Sequence, residues 1–543
     1  MGSTGPYRAG GGRDDEVVAE GGIVDDLVKQ FADPLAFYRE LVQNAIDADT
    51  DEVVVTVQHA PGEPVVIAVT DRGSGMDPEI LQEKLLVLFR SGKENDDSKI
   101  GKFGVGFISV LAMNPERVTV RTSRGEGKSH VLHLHRDHTY DLFETGGGQR
   151  SGTTVSLTLE AMAEDAVTDL VARSRVALER WCRFARTPIH LREVRQGEVV
   201  AEYRIDRALG FEAAEVQVTH VDGDTRVVVA LPGADGPYAG FFNQGLLLHE
   251  TRSSFGGRLS GLRFIVQDPR LEHTLSRDDV RRDGAFRRAL RLVEKVVERE
   301  LVPAALTRLG DLAESSPNGH AQLLARLVTV MPTLPLAPRD LVLRRLHAVD
   351  GKHGVRVRDA GRGLVCAART GALTEAVARA GWVVVPNTMR RVLEQVGAEA
   401  RDAHAAFTHV TPVETRLEDE ALMARLVEHL DRAHRAPSAV ALVTVDGAAA
   451  GRGYLAGDPP PAEGSVHEGK MAVDPFRLLR REGLLLDIGT PTVVAARAMA
   501  EADPEVAAAL LARDVLVFFG HLDGGADDAL TQGALAAVLG VTA

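Results

Sequence analysis

The segment Glu40-Leu41-Val42-Gln43-Asn44-Ala45-Ile46-Asp47-Ala48 constrains this chain more than any other stretch. Phe37, Leu41, Ala45 and Ala48 recur at helical spacing and neither Pro nor Gly interrupts them, which predicts a helix. Residues four apart on a helix share a face, so Glu40 and Asn44 point the same way and Asp47 follows one turn on. A carboxylate can take a proton from water, and an amide oxygen is a hard ligand suited to Mg²⁺. Alone, the same pattern describes any amphipathic helix with a polar stripe. The residues that follow decide between the two.

Val53–Val57 and Val65–Thr70 read as two β-branched strands split by the turn Pro61-Gly62-Glu63-Pro64. The second runs into Asp71-Arg72-Gly73-Ser74-Gly75-Met76. This order places a carboxylate at a strand end beside backbone that a flat ring can approach closely. A carboxylate accepts a hydrogen bond from the exocyclic amine of adenine, which guanine lacks at that position. Further on, Ile100-Gly101-Lys102-Phe103-Gly104-Val105-Gly106-Phe107 leads into an apolar helix, Ile108 to Met113. Glycines at a helix N-terminus let backbone N–H groups converge on an anion, where the helix dipole also favours negative charge. A Rossmann loop would follow the first strand of a βαβ unit, whereas this one follows a helix and the polar stretch Arg90 to Lys99. A Walker loop would carry G-K-[ST], which is absent.

Taken in order, E-L-x-x-N-A-x-D-A, D-x-G-x-G-M and G-x-F-G-V-G-F resemble the Bergerat-fold ATPases, the group of gyrase, heat-shock chaperone, histidine kinase and MutL. Within that group the chain looks most like the heat-shock protein 90 chaperones. The stretch from Met76-Asp77-Pro78-Glu79, Ser91-Gly92-Lys93 at the start of a lid, and Ser151-Gly152-Thr153-Thr154-Val155-Ser156-Leu157 share that likeness. The resemblance implies an α+β Bergerat ATPase sandwich that binds ATP with Mg²⁺. Glu40 would orient or deprotonate the attacking water, Asn44 would hold Mg²⁺, and Asp71 would read adenine. Asp47, Ala48, Gly73, Gly75, Met76 and Thr153 would complete the nucleotide seat. Ser91, Gly92 and Lys93 of the lid, with Gly101, Lys102, Phe103, Gly104, Val105, Gly106 and Phe107, would cover the phosphates. Downstream, Phe242–Glu250 and Leu271–Asp278 resemble the middle domain of the same chaperones, which assigns Arg277 as the catalytic arginine. Three features depart from that pattern: Arg72 in place of a small polar residue, a short lid between Ser91 and Ile100, and Arg281 where Gln is usual.

At 543 residues the length predicts about three domains. The expected division is a flexible tail (1–19), a Bergerat ATP-binding domain (20–160), an α/β middle domain (161–335) and a C-terminal α/β domain of unassigned fold (340–543), with Pro332, Pro335 and Pro338 at the last boundary. Within them, helices are expected over Val167 to Phe184, Ala285 to Glu300 and Pro303 to Val330. Strands are expected at Arg226–Leu231, Gly363–Ala368, Trp382–Pro386 and Ala439–Val445, and His521–Asp528 reads as a turn. His133 and His135 share a strand face that reads as solvated. Net charge is −14 and no Lys/Arg tract concentrates positive charge, which argues against nucleic acid and so against a gyrase- or MutL-like role. A histidine kinase would carry a helical hairpin bearing a phosphoacceptor His, for which the segment before Phe31 is too short. Cys182 and Cys366 cannot build a disulfide framework or a zinc cluster, so reducing cytosol is expected, with Cys182 in the core. No apolar run of eighteen residues is present to span a membrane. The expected partners are protein clients or one dedicated protein, with homodimerisation; the rival function is an ATP-gated signalling or interaction module, with a MutL-like DNA-associated ATPase as the lesser alternative.

Overall fold

The computed structural model describes residues 33–85, 105–137, 139–147, 150–253, 255–274, 279–471, 474–476 and 482–539. The tail 1–19 lies outside them. Two compact units divide the chain, Met1–Leu301 and Val302–Ala543.

Asp33 opens the first unit by accepting from Leu35 N at 2.9 Å, which caps the turn Pro34–Ala36 and leads into helix α1, Phe37–Asp47. Strands β1 (Val53–His59) and β2 (Pro64–Asp71) form the predicted hairpin, with Val53 opposite Asp71. In β1, Val53, Val55 and Val57 are buried while Val54 and Thr56 are half-buried, the alternation of a strand covered more fully on one face. Strands β3 (Arg117–Arg124), β4 (Lys128–His135), β5 (Tyr140–Gly146) and β6 (Ser151–Ala161) follow. Helix α2 spans Glu164–Cys182, then come β7 (Ile189–Arg195) and β8 (Glu198–Arg204). Together the strands make an eight-stranded sheet in the order β5-β4-β3-β6-β2-β1-β7-β8.

The domain edge expected at residue 160 falls inside this layer. β7 pairs in parallel with β1, from Val53↔Ile189 to His59↔Arg195, and α2 packs against α1, where Tyr38 Oη donates to Ser174 Oγ at 2.9 Å. Phe37, Val42, Val55, Ile67, Leu157, Leu178, Cys182 and Ile189 share one buried cluster. Burial in it pushes the Cys182 thiol up to about 12, an unreactive core cysteine. A parallel partner more than a hundred residues away leaves no local signature, so residues 189–204 read as part of the following domain.

The unit continues with β9 (Gln217–Asp222), β10 (Thr225–Ala230), β11 (Tyr238–Asn243), β12 (Leu246–Thr251) and β13 (Arg263–Gln267), a second sheet ordered β12-β11-β13-β10-β9. Gly245 turns β11 into β12 at φ +84°, where a Cβ would stand 2.0 Å from the Phe184 carbonyl oxygen. Helix α3, Gly284–Val296, is capped by Asp283, whose Oδ1 accepts from Ala285 N and Phe286 N at 2.9 and 3.1 Å. A π-helical turn, Val297–Leu301, ends the unit.

In the second unit, the single helix expected from Pro303 to Val330 is two, α4 (Val302–Ser315) and α5 (Pro317–Val330). Pro317 has no N–H to continue α4, and Ser316 Oγ instead accepts from Gly319 N at 3.2 Å as the cap of α5. The proline-rich stretch 332–338, expected as a domain edge, lies inside this unit. Strands β14 (Val342–Val349) and β15 (Lys352–Arg356) pair as a hairpin. The parallel strands β16 (Leu364–Ala367), β17 (Val383–Pro386) and β18 (Ala400–Asp402) alternate with helices α6 (Ala372–Arg379) and α7 (Arg390–Gln395). A five-stranded sheet contains β19 (Phe407–Pro412), β20 (Val440–Gly447), β21 (Tyr454–Ala456), β22 (Ser465–Glu468) and β23 (Leu484–Asp487). Helices α8 (Leu417–Arg432), α9 (Pro491–Ala500) and α10 (Pro504–Phe519) share a buried cluster with it.

One expectation here is corrected. His521–Asp528 is not a simple turn: Asp523 Oδ1 accepts from Ala526 N at 2.8 Å and caps helix α11, Gly524–Leu539, while His521 Nε2 meets Asp474 Oδ2 at 2.6 Å. Two glycines at the helix start disguise it, although Asp before them is an ordinary capping signal.

Candidate active site

Glu40, Asn44, Asp47 and Ala48 all lie on α1 or at its C-terminal cap. Glu40 is only 8% exposed, whereas Asn44 and Asp47 are exposed and Ala48 is half-buried. Burial, with Asp49 beside it, raises the Asp47 carboxyl above its ordinary value.

Asp71 ends β2 directly opposite Thr153 of β6. Its Oδ1 accepts from Gly73 N at 2.8 Å and from Thr153 N at 3.2 Å. Burial raises the Asp71 carboxyl, and these two backbone donors oppose that rise without cancelling it. Oδ2 takes no hydrogen bond from any described residue, so the carboxylate is fixed by one oxygen and presents the other.

The loop after Asp71 is sewn to its neighbours. Ser74 N donates to the Ala48 carbonyl at 2.9 Å, and Arg72 N donates to Thr50 Oγ1 at 2.9 Å. Met76 N donates to Thr122 Oγ1 at 2.8 Å, and that hydroxyl also lies 3.0 Å from Thr153 Oγ1. A Cβ on Gly73 would stand 2.6 Å from the Ala48 carbonyl oxygen, and one on Gly75 would stand 1.9 Å from that of Ser123. Both glycines are therefore required by the fold of the site itself: they let the loop close on α1 and β3. The space a side chain would need is filled by protein, so it is not the approach path for a flat ring that the spacing alone implies.

The start of the glycine-loop helix is a helical turn, Val105–Ile108, continued by a 3-10 turn, Ser109–Met113, and it packs against α1. Gly106 and Phe107 are buried, and Ser109 Oγ donates to the Gly106 carbonyl. The structure thus joins Ala48 of α1 with Asp71, Gly73, Gly75, Met76 and Thr153 through hydrogen bonds and close approaches, and packs the turn holding Gly106 and Phe107 against α1. Ser91, Gly92, Lys93, Gly101, Lys102, Phe103, Gly104 and Arg277 lie outside the described residues, and so does the side chain of Val105. Of the residues that flank 275–278 in the sequence, Thr274 N donates to the Asp279 carbonyl at 2.9 Å.

Thr122 and Thr50 are the residues that sequence reasoning missed, and Gly152, which the sequence offers only as part of the likeness over 151–157, gains its reason here. A Cβ at Gly152 would fall 2.4 Å from the Asp71 carbonyl oxygen, and the Thr122 hydroxyl is a hub between two strands and the loop. Single threonines on strands carry no pattern; only their register, with Thr122 opposite Thr153, gives them a role.

The departing residues have partners. Arg72 pairs with Glu52 at 3.2 Å, and Arg281 pairs with Glu272 at 2.7 Å. His133 Nδ1 lies 3.0 Å from Thr119 Oγ1, and His135 Nε2 lies 3.0 Å from Asp141 Oδ2.

Residues 38–143 match the family of histidine kinase-, DNA gyrase B-, and HSP90-like ATPases. The chaperone protein HtpG of Chlorobium phaeovibrioides is 28% identical over 203 residues, 32% of this chain and 31% of that protein. HtpG of Bdellovibrio bacteriovorus is 29% identical over 155 residues, 24% of this chain and 25% of that protein. HtpG of Rickettsia prowazekii is 36% identical over 124 residues, 18% of this chain and 19% of that protein. The chain thus spans about a third or less of the length of the relatives it matches.

Proposed function

We propose that this chain, whose residues 38–143 make a domain of the histidine kinase-, DNA gyrase B-, and HSP90-like ATPase family, is an ATP-hydrolysing, chaperone-like machine acting on proteins. The observation that carries the reading is the Asp71 seat. Two backbone donors hold Oδ1, and no described residue donates to Oδ2. That oxygen accepts from the exocyclic amine of adenine and has no such donor to meet in guanine.

Glu40, buried on α1, takes the proton of the attacking water. Asn44 lies four residues on and exposed, and its amide oxygen suits a hard cation. Mg²⁺ held there would neutralise phosphate charge. Backbone N–H groups from Gly101 to Gly106 would serve the phosphates, and Ser91–Lys93 would cover them, as the resemblance implies. Arg277 would stabilise charge that grows on the γ-phosphate, and hydrolysis would reopen the lid. The clients, homodimerisation and a cytoplasmic location belong to the same reading. Among the described residues no helix is long and apolar enough to cross a membrane.

Phosphate release by the purified full chain tests this. Hydrolysis of ATP, loss of it with EDTA, and weak binding of GTP by calorimetry are expected. Equal affinity for the two nucleotides would refute the Asp71 assignment. Pull-downs with and without a non-hydrolysable ATP analogue would then show either many apolar clients or one stoichiometric partner, the second outcome replacing the chaperone reading with a dedicated module.

A further inference from the structure

Helix α3 carries a second feature of the first unit. Its inner face, Ala285, Phe286, Ala289, Val293 and Val296, packs against β10 and β13. Arg288, Arg291 and Lys295 stand exposed on the outside, spaced by three and four residues and so on one face. None of the three pairs with a carboxylate among the described residues. Other helical cations of this unit do pair within a turn, as Arg175 does with Glu179 at 2.9 Å and Arg173 with Asp169 at 3.8 Å. Like charges at this spacing repel, so a row of three without partners is costly to the free helix in a chain of net charge −14.

With Asp222, Thr225, Asp268 and Arg270, these cations line a groove of about 280 Å³. Asp268 does not offset them. Arg270 clamps its carboxylate from Nε and Nη2 at 2.9 and 2.8 Å, and Thr225 Oγ1 donates to it at 2.9 Å. That leaves Asp222, which with Asp224 acts on Arg270, against the three cations of α3.

The spacing selects the ligand. Seven residues of helix cover roughly 10 Å, more than one small anion can bridge. An extended peptide rises about 3.3 Å per residue and sends alternate side chains to the same side, so about four residues place two carboxylates along the row. Guanidinium groups also meet carboxylates in paired, planar geometry. We infer that this groove docks a short acidic segment of a partner protein across Arg288, Arg291 and Lys295. The inference does not rest on the nucleotide reading, and its test uses no nucleotide.

Fluorescence anisotropy with a labelled hexapeptide of alternating Glu and Asp measures the docking on the full chain. Saturable one-to-one binding is expected, weakened by raised salt. R288E/R291E/K295E should lose affinity by roughly tenfold or more, since three exposed pairs are removed and replaced by repulsion. The matched reversal R308E/R339E/R391E, in the second unit, should leave it nearly unchanged. R291E alone should give an intermediate loss, which keeps the test open if the triple variant fails to fold. The inference is overturned if the peptide does not bind, if both triple variants bind it equally, or if a single-stranded oligonucleotide of equal charge competes as well as the peptide itself.

Discussion

Glu40 and Asp71 carry separable parts of the proposed chemistry, so each substitution should leave the other's part intact. Glu40→Ala should bind ATP nearly as well as the wild type and hydrolyse it about 10²–10⁴ times more slowly, the usual loss for a positioned general base. Unchanged phosphate release would remove Glu40 from the mechanism. Asp71→Asn should bind ATP weakly, for a reason of geometry. Gly73 N and Thr153 N both need an acceptor, so the amide oxygen must turn inward and its NH₂ must face the adenine amine, donor against donor. About 1.5–3 kcal/mol of binding should disappear with the charge-assisted bond. Stability should move the other way. Burial raises the Asp71 carboxyl in the folded state, so the ionised group opposes folding above that raised value and the penalty lifts as pH falls through it. Nucleotide-free Asp71→Asn should therefore melt no lower than wild type at neutral pH; a clear drop would mean the carboxylate is needed for the fold. The placement of both, not their role, is legible because their context is short: a helix period for Glu40, a strand end and two glycines for Asp71. Thr122 is not, because its hydroxyl gains meaning only from strands β3 and β6 meeting around it.

Elements hold these residues in place through a few close approaches. Gly62 and Gly75 both have positive φ, +77° and +67°, yet a Cβ at Gly62 meets nothing within 4 Å while one at Gly75 would meet the Ser123 carbonyl oxygen at 1.9 Å. Gly62→Ala should thus cost only its backbone strain, about 1 kcal/mol, whereas Gly75→Ala should cost more and also weaken ATP binding. Equal melting losses would mean that the loop does not depend on closing against β3. In the second unit, Asp419 on α8 is buried and held by Arg497 of α9, from Nε and Nη2 at 2.8 Å each, with Arg416 N at 3.1 Å. The Arg497 hydrogen bonds hold the Asp419 carboxyl down at about 2. A depressed carboxyl stabilises the fold above its unfolded value and loses that contribution as pH falls from about 4 to about 2. Asp419→Ala should destabilise this unit by on the order of 3 kcal/mol at neutral pH, because Arg497 loses its partner, and should flatten the acid limb of the denaturation curve. An unaltered acid limb would show that other carboxylates govern it. Helices were legible here from their period. The break at Pro317 was overlooked because apolar residues continue in phase on both sides of it.

The whole first unit, not residues 20–160, is the smallest piece with a complete sheet and both proposed catalytic groups. A fragment ending at 160 lacks β7 and α2 and should aggregate. One ending at 205 should fold and bind ATP but turn it over far more slowly than one ending at 301, which adds the segment containing Arg277. An arginine that acts on developing charge should change turnover more than affinity. Equal rates from the two longer fragments would make Arg277 structural. The parallel pairing of β1 with β7 also has a meaning during synthesis. A ribosome adding roughly 5–20 residues per second needs on the order of ten seconds to pass from Val53 to Ile189. Throughout that interval the nascent hairpin displays a bare, valine-rich edge, the kind of surface on which unfinished chains stick to one another. A protein proposed to assist the folding of others is therefore, at its own birth, exposed to the same hazard.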